Sequence, residues 1–142
     1  MTMTTVELAG YWRWTSMRIE FGDGTPDHHP YGEELEGGVV FTPGGRLMAI
    51  ATSSGRVPAR TDDDRIKLFG SLLAYTGQAR LEGNGRFVTE VDASWDPAWA
   101  GRQERFFSIE KDTFTVRTGR QTHPAFPGQE LWMVAEAKRA SD

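Results

Sequence analysis

Cysteine is absent from the 142 residues. The chain therefore has no disulfide framework, and thiolate nucleophiles, cysteine zinc sites and iron–sulfur clusters are excluded. A basic surplus is missing too: 16 Lys and Arg stand against 20 Asp and Glu, a net charge of -4. A nucleic-acid partner is not expected, because neutralising phosphates takes clustered cations. No apolar run approaches the ~20 residues that a helical membrane span needs. The first ten residues hold no basic stretch followed by an apolar one, so no secretory leader is expected and the cytoplasm is the expected compartment. There is no Ser–His–Asp pattern, nucleophile elbow or phosphate loop, and Gly83-Asn84-Gly85 reads as a turn. No metal or other cofactor is expected. The side chains of His28 and His29 diverge on an extended chain, His123 lies in another loop, and Asp62-Asp63-Asp64 lacks the spacing of a calcium loop.

What the chain does have is 16 Gly and an aromatic share of 11%. Many glycines between short aromatic and β-branched runs mark many tight turns, the composition of an all-β domain. The length suits one domain over residues 1–142. After a short helical turn at Thr5–Leu8, capped by Thr4 or Thr5, the first strand is expected over Tyr11–Phe21. Gly22–Glu34 is a loop long enough to act as a lid. Leu35–Thr42 and Arg46–Ser53 form a hairpin across Pro43-Gly44-Gly45, and Thr61–Gly70 reads as a helix capped by Thr61 that packs on the barrel or closes one end. Leu72–Glu82 and Arg86–Ser94 pair across Asn84-Gly85, the strongest short hairpin signal. Arg102–Glu110 and Thr113–Thr118 turn at Lys111-Asp112, and Gln129–Lys138 is the last strand. Eight strands in hairpin order predict an antiparallel up-and-down barrel, since closure removes exposed edges.

Gly10-Tyr11-Trp12 is similar to the Gly-x-Trp signature of lipocalins. Further pieces follow in order: Tyr31-Gly32, Pro43-Gly44-Gly45-Arg46-Leu47, Ala74-Tyr75-Thr76-Gly77, the run Ser94-Trp95-Asp96-Pro97-Ala98-Trp99-Ala100-Gly101, Gln103-x-Arg105 and Leu131-Trp132. Together they resemble the bacterial and fungal lipocalin-like domain family over nearly the whole chain. The resemblance implies an eight-stranded barrel with a short helix at its mouth. Two positions depart from the family pattern: Glu90 stands where members often carry His, and Val134 where they often carry Arg.

Strand alternation then sets the faces. With Trp12 inward, as the resemblance implies, Trp14, Ser16 and Arg18 share its side. The apolar rule alone would put Phe87, Val91 and Ala93 inside, whereas the family pattern puts Glu90, Asp92 and Ser94 there, and the latter is taken here. Gln103, Arg105 and Phe107 form one face, as do Tyr75, Gly77 and Ala79. Glu90 and Asp92, ~7 Å apart on one face, would make an acid–base pair. Tyr75 or Arg105 would stabilise developing negative charge. Arg105 could instead stack on Trp12 or Trp132. Trp95 and Trp99 would clamp a flat ligand at the rim.

Two functions of different class follow. One is an intracellular barrel that binds a small, partly apolar or aromatic ligand, lined by Trp14, Ser16, Arg18, Tyr75, Ser94, Trp95, Trp99, Gln103, Phe107 and Trp132. The other is a cofactor-independent isomerase, cyclase or lyase for a small hydrophobic substrate, with Glu90, Asp92, Tyr75 and Arg105 as its catalytic group. A third, a filled barrel acting within an oligomer, would leave no cavity. The aromatic surplus also allows a homodimer.

Overall fold

A computed structural model describes residues 5–83 and 85–141 of the chain. Thr4, one of the two expected helix caps, and the turn residue Asn84 lie outside the described residues. Eight antiparallel strands close into a barrel in which each pairs with its sequence neighbours and the last returns to the first. They are β1 (Gly10–Phe21), β2 (Leu35–Phe41), β3 (Arg46–Ser53), β4 (Leu72–Leu81), β5 (Arg86–Ser94), β6 (Gly101–Glu110), β7 (Thr113–Arg117) and β8 (Leu131–Ala140). Two helices accompany them, α1 (Thr5–Leu8) and α2 (Asp62–Gly70), with a 3-10 turn at Pro97–Trp99.

The capping chemistry expected of α2 is present. The backbone N–H of Asp64 donates to Thr61 Oγ1 at 3.1 Å, and Thr61 N–H donates back to Asp64 Oδ2 at 3.2 Å. The expected packing is not. None of the residues of α2 is buried, because its apolar positions are too few to make a continuous stripe, and Ile66 remains 70% exposed. The helix is fastened at its end instead, where Phe69 stacks on Trp95.

One end of the barrel is filled. Trp12 is fully buried, and its indole N–H donates to the carbonyl of Leu8 at 2.8 Å. Its ring lies 5.4 Å from that of Phe114, which also meets Phe41 and Phe107 at about the same range. Phe87 completes the cluster against Phe41 and Phe107. Tilted and edge-on pairs of this kind each contribute about 0.5–1.5 kcal/mol beyond their buried area. Arg139 caps the cluster from outside, its guanidinium 4.0 Å from the Trp12 ring and bonded to the carbonyls of Glu7 and Ala9. The stacking considered for Arg105 thus falls to Arg139 on Trp12 and to Arg120 on Trp132.

Two β-bulges set which residues point inward. On β1 the pairing with β8 steps from Trp14–Ala137 to Ser16–Glu136 and leaves Thr15 over. Trp12 and Trp14 face in, but beyond the bulge Met17, Ile19 and Phe21 do. On β5 the pairing with β4 steps from Gly77–Val91 to Thr76–Ala93 and leaves Asp92 over. Gly77 makes this possible: a Cβ there would fall on the carbonyl of Glu90 and the Cα of Val91. Both obstacles are backbone, so a side chain cannot simply turn away. Gly77→Ala is expected to destabilise the fold by about 1–3 kcal/mol, read as a lower urea midpoint with an unchanged slope. An unchanged midpoint would contradict this register.

Candidate functional site

The other end of the barrel is hollow. A cavity of about 670 Å³ rises from a floor of Phe41, Leu47, Phe87 and Phe114. Its walls come from Trp14, Met17, Leu73, Tyr75, Met133 and Ala135, and its rim from loops that include Tyr31, Asp96, Trp99 and Phe126. Such a volume suits a small organic molecule. The hollow arises from side-chain size: above the aromatic cluster the inner positions of β8 are Ala135 and Met133, which do not reach across.

Two long loops frame the mouth. Residues 22–34 fold back so that His28 forms a bridge with Ile19, through hydrogen bonds of 2.7 and 3.0 Å. This segment substitutes for β2, which pairs with β1 only as far as Arg13. The expected lid is thus partly stitched into the wall, and it contributes His28, Pro30 and Tyr31 to the cavity. Residues 118–130 form the opposite side and are held by a Gln121–Leu131 bridge. Phe126 packs between Phe21, His28 and His123. A polar latch joins the loops: Asp23 accepts from the backbone and hydroxyl of Thr25 and from Gln129 Nε2, which lowers its carboxyl to about 2.

The residues expected to face the interior divide. Trp14, Tyr75, Trp99, Gln103 and Arg105 line the cavity. Phe107 lies on the inner face but belongs to the aromatic cluster beneath it. Ser94 is returned by the bulge to the side of its partner Tyr75, and its hydroxyl donates to the carbonyl of Asp96 at 2.9 Å. The others point outward. The Thr15 bulge turns Ser16 and Arg18 out, and Arg18 pairs with Glu20 at 2.8 Å and with Glu136 and Asp27. Trp132 lies opposite Glu20, to which it donates, and carries Arg120 on its ring. Trp95 is 46% exposed and bonded to the carbonyl of Phe69.

Glu90 and Asp92 are likewise outside, against the expectation taken from the family pattern. Asp92 is 58% exposed and accepts from Arg46 at 2.9 Å, while Glu90 is 52% exposed between Arg80 and Arg102. The apolar rule holds on this strand for Phe87 and Val91, buried together with Thr89, since solvating two carboxylates costs less than burying them, but not for Ala93, which the Asp92 bulge turns outward and leaves exposed.

The polar groups that do face the cavity form a short row. Gln103 Nε2 donates to the Trp99 carbonyl at 2.8 Å, and its Oε1 accepts from Arg105 Nη2 at 3.1 Å. Tyr75 lies within electrostatic range of Arg105, and Tyr31 within range of Asp96 and Tyr75. Sequence reasoning missed Tyr31, Asp96 and Phe126 as lining residues. Tyr31-Gly32 and Asp96 lay within the pieces carrying the resemblance, but loops give no alternation from which to read direction.

Desolvation raises the pKa of both phenols; Asp96 and Tyr75 add to this at Tyr31, and Arg105 opposes it at Tyr75. Both are neutral hydrogen-bond donors at neutral pH. A raised folded-state pKa stabilises the fold in full below the unfolded value of about 10, and this is lost as pH climbs through the folded value. In an ultraviolet titration, Tyr31→Phe and Tyr75→Phe should each remove amplitude from the part of the curve above about pH 10. Amplitude lost from below that point would contradict the desolvated placement.

No curated protein and no solved structure matches the chain. The family described as lipocalin-like domain matches residues 9–140, from the start of the first strand to the end of the last. The chain belongs to the lipocalin-like domain family.

Proposed function

We propose that the protein is an intracellular carrier or sensor whose barrel takes up one small, partly apolar molecule through the loop-framed mouth. The observation that carries this reading is the cavity of about 670 Å³, apolar over most of its wall and open at one end only. Burying apolar ligand surface there yields about 25 cal/mol for each Å² removed from water. Trp14 and Trp99 supply flat contact surface, and Tyr75, Gln103 and Arg105 supply the few polar groups that orient a ligand. The alternative of carboxylate acid–base catalysis loses support from the outward direction of Glu90 and Asp92.

The test is calorimetric titration with 1-decanol, a neutral apolar probe. One molecule should bind per chain. Ala135→Phe, which places a ring in the upper cavity, should weaken binding by about tenfold or more, whereas Met48→Ala on the outer face should not. Absence of binding by both 1-decanol and its acid counterpart decanoate, or equal binding of 1-decanol by Ala135→Phe, would overturn the proposal.

A further inference from the structure

Strand β6 alternates two kinds of charged position. Arg102 and Glu104 point out, and both are paired: Arg102 with Glu90 at 3.6 Å and Glu104 with Arg86 at 2.7 Å. Gln103 and Arg105 point in. Arg105 has no carboxylate within 4.0 Å among the described residues. Its guanidinium bonds only to neutral acceptors, the carbonyl of Glu104 at 2.8 Å and the side chain of Gln103 at 3.1 Å. These two bonds leave N–H groups unused, since guanidinium carries five.

The surroundings favour an acceptor. The hydroxyls of Tyr75 and Tyr31 have no hydrogen-bond partner among the described residues, yet no buried side-chain oxygen is left unsatisfied there, so both oxygens open onto the cavity. Arg117, opposite Phe106 in the β6–β7 pairing, is turned to the outer face and adds no charge to the interior. It is occupied by the Phe106 ring and the carbonyl of Thr118, not by a carboxylate. Asp96 is the one carboxylate among the described lining residues, and it caps the 3-10 turn by accepting from Ala98 N–H. The interior is thus rich in donors, with Arg105 as its inward guanidinium.

We infer that the ligand is an acid: an apolar body carrying one carboxylate, which Arg105 grips with the Tyr75 hydroxyl beside it. This rests on the binding reading above and names the chemistry of the ligand's head. The unused N–H groups of this guanidinium open onto the cavity, and a carboxylate bound in bidentate fashion would engage two of them. The same cation makes the pocket a poor host for cationic ligands.

The experiment compares decanoate with 1-decanol by calorimetry at pH 7.5. A neutral cavity prefers the alcohol, because the carboxylate must leave water. The unaltered protein should bind decanoate at least about tenfold more tightly than 1-decanol. Arg105→Met should reverse that order, and Tyr75→Phe, which keeps the ring, should narrow it. If Arg105→Met does not fold, the order in the unaltered protein and its narrowing in Tyr75→Phe decide the matter. Binding of 1-decanol as tightly as decanoate would overturn the acid assignment and leave the apolar cavity standing. Retention of the preference in folded Arg105→Met would overturn it as well. Binding of neither probe would overturn both readings.

Discussion

The buried ring of Trp12 and the phenylalanines around it are what the rest of the barrel depends on. Closing a sheet of eight strands leaves an interior that side chains just fill, so where the large rings go decides where space remains. Here Phe41, Phe87, Phe107 and Phe114 gather against Trp12 at one end. Arg139 and the carbonyl of Leu8 hold that indole from outside. At the other end the inner positions of β8 are Met133 and Ala135, which do not reach across, and the barrel is hollow. A rigid filled base and an open cup are two consequences of one distribution of side-chain volume.

Charge is distributed with the same asymmetry. On the outer face arginines and carboxylates meet across neighbouring strands, as Arg46 does with Asp92 and Arg86 with Glu104. Exposed pairs of this kind contribute about 0–1 kcal/mol each and mainly keep the surface solvated. The inner face has Arg105 without such a partner and two phenols whose pKa desolvation raises. Paired charge outside and donor groups inside are the basis on which we infer an acidic occupant. Loop latches such as Asp23 with Thr25 and Gln129 hold the two mouth loops together.

Much of the fold was legible in the chain. The hairpin turns, the Thr61 cap and the order of strands are local chemistry, and each element lies within a few residues of its expected place. The faces were harder, because a single bulge inverts everything beyond it. Strict alternation from Trp12 put Ser16 and Arg18 inside; the apolar positions Trp12, Trp14, Met17, Ile19 and Phe21 change phase between Trp14 and Met17, and that change is the bulge written in the sequence. On β5 the apolar positions Phe87 and Val91 already pointed to the observed face, and the family pattern was the poorer guide for Glu90 and Asp92. At the rim Trp99 was legible, whereas Tyr31, Asp96 and Phe126 are placed by loop closure across distant strands.

The central claim is that the ligand lies within the cup and not on the barrel's surface. The methionines provide a built-in comparison: Met17 and Met133 line the cavity, whereas Met48 is 58% exposed on the outer face near Ile50. With methionine methyl groups labelled, nuclear Overhauser contacts from bound decanoate should appear at Met17 and Met133 and be absent at Met48. Contacts at Met48 with none at Met17 or Met133 would contradict the account.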